Sequence, residues 1–216
     1  MSLARNLITW LAARRAITRP LGATGMRLGF ARRFIAGETL EDALGVAAEL
    51  NARGLLVIMN RLGEDIADTK DAEDSYRAYT EILHQIAARK IDGAITIKPT
   101  QLALELDFDT CQELTLHLVE EAARLRNFVE IDMEHSSATE ATVRLYEHVR
   151  ARHENVGLAV QSYLFRTESD LERLRKWKPK IRLVKGAYLE PHDIAFAEKR
   201  DVDRNYSKLM RMLFAG

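Results

Sequence analysis

From residue 55 onward the sequence alternates short β-favouring runs with longer stretches of helical apolar period, and this alternation constrains the fold more than any other feature. Thr39 followed by Asp42 opens a stretch with apolar residues at Leu40, Ala43, Leu44, Ala47 and Leu50, closed by Gly54, which predicts a helix. The run Leu55-Leu56-Val57-Ile58-Met59 then reads as a strand buried on both faces of a parallel sheet. The pattern repeats as helix 71–90 with Tyr76, Tyr79, Leu83 and Ile86 inward, strand 94–98, helix 109–126, strand 128–133, helix 137–153, strand 156–163, helix 167–177 and strand 181–185. A last helix carries Tyr206, Leu209, Met210, Leu213 and Phe214. Ser137 with Glu140 and Thr167 with Asp170 read as further capping boxes at strand-to-helix handovers.

Repeated βα units with short links imply right-handed crossovers and a parallel sheet, either doubly wound or closed into an eight-fold barrel. No Gly-x-Gly-x-x-Gly or Walker sequence follows the first strand, which lowers the weight of nucleotide-binding open sheets. A full eight-unit barrel takes about 250 residues, whereas these 216 residues supply strands for five units. The expected fold is therefore an incomplete (βα)8-type barrel of about five parallel strands with helices. Its portion is expected over 38–216, preceded over 1–37 by a basic helical arm.

That arm shows where charge is unevenly spread. The chain has 32 basic and 32 acidic side chains, yet its first acid is Glu38, after seven arginines (Arg5, Arg14, Arg15, Arg19, Arg27, Arg32, Arg33). Such a start suits a transit peptide, a membrane-surface helix or a nucleic-acid arm; the favoured reading is a helical arm packed on its own domain. With 47% hydrophobic residues and four prolines, disordered and fibrous chains are excluded. The lone Cys111 excludes an internal disulfide framework, and the six histidines show no metal-ligand spacing, so no metal is expected. Apolar runs fall far short of the roughly 20 residues of a membrane span, so a soluble protein is expected.

Side chains alternate across a strand, so residues two apart share a face. Thr96, Lys98 and Thr100 fall on one parity; so do Glu130, Asp132 and Glu134, then Gly157, Ala159, Gln161 and Tyr163, and finally Arg182, Val184 and Gly186. Lys98, Arg182, Asp132 and Glu134 are expected to neutralise one another at the strand ends, where barrels of this type keep their active sites. Glu130, earlier in its strand, reads as a structural partner for a basic group lower in the barrel, and Tyr163 as packing. Cys111, at a helix start, reads as inert filling.

Six strings carry a resemblance beyond patterning: the run from Arg32 to Thr39, Leu62-Gly63-Glu64, Ile97-Lys98-Pro99-Thr100-Gln101-Leu102, Ile131-Asp132-Met133-Glu134, Gln161-Ser162-Tyr163-Leu164 and Arg182-Leu183-Val184-Lys185-Gly186-Ala187-Tyr188. Together, and in this order over roughly 30–216, they resemble bacterial monofunctional proline dehydrogenase. The resemblance implies a distorted (βα)8 barrel that binds FAD, oxidises L-proline to pyrroline-5-carboxylate and passes electrons to a membrane quinone. It puts substrate-side roles on Lys98, Asp132 and Tyr188, and a flavin lining on Asp132, Gln161, Arg182, Val184, Lys185, Gly186 and Ala187. Lys98 and Asp132 would orient and polarise rather than form covalent bonds, since the chemistry belongs to the cofactor. A cytoplasmic protein with peripheral contact to the inner membrane, no nucleic-acid partner, and a homo-oligomer or a completing polypeptide are expected.

Three departures qualify the resemblance. Ala103 stands where glycine is common and His135 where a small or acidic residue is usual. The family's paired arginines that clamp the substrate carboxylate have no counterpart up to Gly216, so a truncated, non-catalytic fragment is the alternative expectation. A third reading, a phosphate-ligand barrel lyase or aldolase, would use Lys98 or Lys185 as a Schiff base, which borohydride trapping would reveal.

Overall fold

A computed structural model describes residues 35–63 and 66–215. The basic start up to residue 34, and with it most of the expected arm, lies outside the described residues, as does Glu64. Two compact units meet in sequence at Arg53 and Gly54.

The described part of the first unit contains α1 (Leu40–Ala52). The Thr39 hydroxyl accepts from the Asp42 N–H, and the Asp42 carboxylate accepts from the Thr39 N–H at 3.2 Å, the reciprocal capping box expected from sequence.

The second unit holds five strands, β1 (Val57–Asn60), β2 (Gly93–Ile97), β3 (Val129–Ile131), β4 (Val156–Gln161) and β5 (Lys180–Val184). They are joined by α2 (Thr69–Ala88), α3 (Phe108–Arg124), α4 (Ser136–Arg150) and α5 (Thr167–Leu174), and α6 (Lys199–Ala215) follows β5. All pairings are parallel, and the spatial order β1-β2-β3-β4-β5 equals the chain order. A doubly wound sheet reverses its strand order at a switch point. No reversal occurs here, so the arrangement is the singly wound one of a partial α/β barrel.

The core lies between strands and helices. Ile95, Ile97, Val129, Ile131, Val156, Leu158 and Val160 from β2 to β4 are buried with Leu83 and Ile86 of α2, Leu118 and Val119 of α3, and Leu145 and Val149 of α4. Residues of the opposite parity carry the polar groups, so the period-two split read from sequence separates core from site.

Three expectations are corrected. The first strand is not buried on both faces: it starts at Val57, Leu55 and Leu56 are exposed, and Ile58 is 50% exposed, because β1 is an edge strand that pairs with β2 alone among the described residues. Neither capping box at 137 or 167 forms. Helix α4 begins at Ser136 with His135 as an N-cap that makes no side-chain cap, and Glu140 instead pairs with Arg166 and Arg173. Thr167 is already helical; its hydroxyl donates to the Gln161 carbonyl at 2.5 Å, while Asp170 pairs with Arg166 at 2.8 Å.

Candidate active site

Strand register sets the polar residues in rows across the sheet. Thr96, Glu130, Gly157 and Lys180 are mutually paired across β2 to β5. One step of two residues onward, the same register aligns Lys98, Asp132, Ala159 and Arg182, with the Asp132 N–H donating to the Ile97 carbonyl at 2.9 Å. A further step pairs Gln161 with Val184, and beyond the ends of β2 and β3 the Thr100 N–H donates to the Glu134 carboxylate. The site is thus built from strand period and parallel register.

Arg182 on β5 reaches over β4 to β3. Its Nε donates to Glu130 Oε1 at 3.1 Å and its Nη2 to Asp132 Oδ1 at 3.0 Å. Between them lie Gly157 and Ala159, and a Cβ on Gly157 would stand 2.6 Å from Glu130 Oε2 and 2.7 Å from Phe128 Cζ. Small residues on β4 therefore allow the ion pair to span two strands. Burial raises the Glu130 carboxyl above the ordinary glutamate range, and the adjacent guanidinium pulls it back. Glu130 has the basic partner expected for it, but that partner, Arg182, stands one row nearer the strand ends rather than lower in the barrel.

The expected four-way neutralisation among Lys98, Arg182, Asp132 and Glu134 is divided differently. Glu134 is buried and accepts from the Thr100 N–H at 3.0 Å and the Thr100 hydroxyl at 2.8 Å, which stitches the turn after β2 to the exit of β3. Burial raises its pKa, opposed by the Thr100 bonds and by the charge of Lys98. Lys98 itself is partly buried at the head of a 3-10 turn, Pro99–Leu102. Its N–H donates to Tyr79 Oη at 3.3 Å, and Tyr79 donates to Gln101 Oε1 at 2.8 Å. The turn ends at Ala103, buried with a left-handed φ of 74°, the conformation that favours glycine. Cys111 is buried beneath this turn as filling, its thiol pushed up to about 12 by burial.

Gln161 is the most exacting polar group. Its Nε2 donates to the carbonyls of Met133 at 2.7 Å and Glu134 at 3.1 Å, which fixes the amide and leaves Oε1 buried without a partner among the described residues. Orphaned buried acceptors are uncommon in folded proteins.

Beyond Gln161 the backbone of β4 keeps pairing, Ser162 N–H to the Val184 carbonyl at 2.8 Å and Tyr163 N–H to the Lys185 carbonyl at 3.0 Å. Gly186 has φ +104°, and a Cβ there would meet the Tyr163 ring at 2.2 Å, so glycine is required twice over. Tyr163 is packing, as expected, and its hydroxyl donates to Glu190 at 3.5 Å. Lys185 is exposed, with its amine 2.5 Å from Asp203 Oδ1 on α6. Ala187 and Tyr188 are exposed, and the Tyr188 ring stands edge-on to His135 at 6.2 Å between centroids.

The structure thus brings Lys98, Asp132, Gln161, Arg182 and Val184 to one face, with Gly186, Ala187 and Tyr188 on the adjoining exit segment, whereas the Lys185 amine is not on that face but pairs with Asp203 of α6. Two contributors were not legible as such. Tyr79 reads as an ordinary inward helix residue, because its hydrogen bonds are made 19 and 22 residues away. Glu190 has no local signal at all, since its partner Ser136 lies 54 residues earlier.

Residues 43–216 match the family model described as proline dehydrogenase. Proline dehydrogenase 1 of Bacillus subtilis subsp. natto is 33% identical over 208 residues, covering 96% of this chain and 68% of its own length. The proline dehydrogenase of Deinococcus radiodurans is 30% identical over 186 residues, 83% of this chain and 60% of its own. Among solved structures, proline utilization A of Bdellovibrio bacteriovorus inactivated by N-propargylglycine superposes with a TM-score of 0.78 at 20% identity, over 87% of this chain and 24% of that one. A proline utilization A mutant of Bradyrhizobium japonicum gives 0.68 at 21% identity, over 93% and 25%. The chain therefore spans about two thirds of these curated relatives and about a quarter of the solved chains.

Proposed function

The chain belongs to the proline dehydrogenase family, and from that premise we propose that it takes part in the FAD-dependent oxidation of L-proline to pyrroline-5-carboxylate in proline catabolism. The observation that carries the reading is the buried Gln161 Oε1 without a partner, set in the same face as the Arg182 guanidinium and the small residues Gly157 and Ala159. A flavin ring fits this donor set. It offers an imide N–H to a bare amide oxygen and carbonyl groups to a cation, and its plane needs a floor without large side chains.

In this reading Asp132, Gln161, Arg182, Val184, Lys185, Gly186 and Ala187 line the cofactor, Lys185 with its amine already held by Asp203. The bound flavin supplies the hydride acceptor. The protein's own work is electrostatic and positional. Arg182, fixed by Glu130 and Asp132, would lend positive charge to a flavin held on this face and so favour its reduced, anionic form. Lys98 and Asp132, neighbours across β2 and β3, orient proline, and Tyr188 covers it from the exit of β5. The Glu134 and Tyr79 bonds hold the turn that aims Lys98.

We extend the proposal to a quinone as electron acceptor and to a cytoplasmic protein in peripheral contact with the membrane. The arginine-rich, acid-free start supports that contact, since anionic lipid attracts such segments. Among the described residues no helix is long and apolar enough to cross a membrane. Deletion of residues 1–30 should abolish liposome binding, and retention of binding would count against the contact.

The site assignment is tested with proline and an artificial electron acceptor. Lys98→Ala and Asp132→Asn should each lower the rate by about a hundredfold, with Lys98→Ala keeping its flavin. Full activity in either variant would overturn the assignment.

A further inference from the structure

An acid in the segment after β5, Glu190, ties that segment to the elements before it. Glu190 Oε1 accepts from the Ser136 N–H at 2.8 Å, its Oε2 accepts from the Ser136 hydroxyl, and its Oε1 also accepts from the Tyr163 hydroxyl at 3.5 Å. Ser136 opens α4, and the residue at its N-cap position, His135, makes no side-chain cap. The first N–H groups of a helix lack intrahelical acceptors and carry partial positive charge. A carboxylate from 54 residues away thus does the work of a cap.

The same stretch is gripped at other points. The Tyr188 ring stands edge-on to His135, and His135 Nδ1 lies 2.7 Å from Ser137 Oγ and Nε2 3.4 Å from Glu105 Oε1. Gly186 packs on the Tyr163 ring, Phe165 N–H donates to the Ile194 carbonyl at 3.0 Å, and Phe196 N–H to the Tyr163 carbonyl at 2.8 Å. Glu190 is the central tie between the two grips, four residues after Gly186 and two after Tyr188.

We propose that Glu190 is a positioning residue: by capping α4 it latches the segment 186–190 across the exits of β3 and β4 and so sets where Gly186, Ala187 and Tyr188 stand. Its value for catalysis rests on the function proposed above; the latch itself does not.

The two are separated by measuring hydrogen exchange on the 216-residue chain alongside flavin titration. Glu190→Ala should speed exchange at least tenfold in peptides covering 186–196 and at the start of α4, and leave peptides of β1 and β2 unchanged. Glu190→Gln, which keeps one oxygen for the Ser136 N–H, should recover most of the protection. In the alanine variant the dissociation constant for FAD should rise about tenfold, and the KM for proline should rise more than kcat falls. Unchanged exchange over 186–196, or a uniform rise across the chain, overturns the latch. Localised loss of protection with unchanged FAD affinity and KM overturns the positioning role. A wild-type chain that binds no flavin defeats the functional reading, while its exchange pattern still decides the latch.

Discussion

At the scale of single residues, Arg182 serves two acids across a strand of small residues. Replacing it with methionine leaves Glu130 buried without its cation. Loss of one partner from a fully buried pair costs about 3–5 kcal/mol; since the guanidinium is 38% exposed, about 2 kcal/mol is expected for Arg182→Met. The sign with pH follows from Glu130. Burial raises its folded pKa and Arg182 lowers it, so removal of the cation raises it further. A carboxyl whose folded pKa is raised contributes stability that is present below the unfolded value and lost as pH rises through the folded one. The deficit of Arg182→Met in urea unfolding should therefore be larger at about pH 8 than at about pH 5; a deficit independent of pH would contradict the pairing. Gly157→Ala tests the same arrangement sterically. Its Cβ would sit 2.6 Å from Glu130 Oε2, and overpacking of this kind costs about 1–3 kcal/mol. A neutral substitution would mean the Glu130 and Arg182 groups do not meet over β4.

At the scale of elements, α4 and α5 are joined by a ladder in which Glu140 takes Arg166 and Arg173, and Glu147 takes Arg173 and Lys176. Hydrogen bonds from Arg166 and Arg173 lower the Glu140 pKa, and those from Arg173 lower that of Glu147. Lowered carboxyls contribute stability above their unfolded pKa that is lost as pH falls through the folded one. Glu140→Gln with Glu147→Gln should cost about 1 kcal/mol at neutral pH, screened as exposed pairs are, and nothing in acid. A cost that persists in acid would mean packing rather than charge joins the helices.

This ladder also shows what local pattern leaves out. Ser137 with Glu140 and Thr167 with Asp170 satisfy the capping pattern by spacing, yet Glu140 and Asp170 answer to arginines elsewhere, and the cap of α4 comes from Glu190. From β2 onward strands and their faces were legible, because period-two alternation is fixed by the backbone and parallel register carries it from strand to strand. Lys98, Asp132, Gln161 and Arg182 were legible as one face for the same reason. The partner behind Lys98, Tyr79, depends on a contact 19 residues apart, for which a single sequence has no signal.

At the scale of the whole molecule, the sheet of the second unit has β1 and β5 at its two ends, each paired on one side only among the described residues. Exposed apolar side chains accompany both, Leu56 at 75% near β1 and Phe214 at 88% on the helix after β5. Unpaired edges with apolar neighbours favour association with other strands. Leu56→Lys should lower concentration-dependent association in sedimentation while changing stability by no more than about 0.5 kcal/mol; unchanged association would show that this edge is not adhesive.

That this face holds a flavin and delivers proline to it is checked by the visible absorption spectrum of the purified chain of verified intact mass, before and after anaerobic addition of L-proline. A flavin spectrum that bleaches with proline is the result predicted. A colourless chain that takes up no added FAD would contradict the claim and leave the alternative of a barrel fragment that keeps the scaffold without the chemistry.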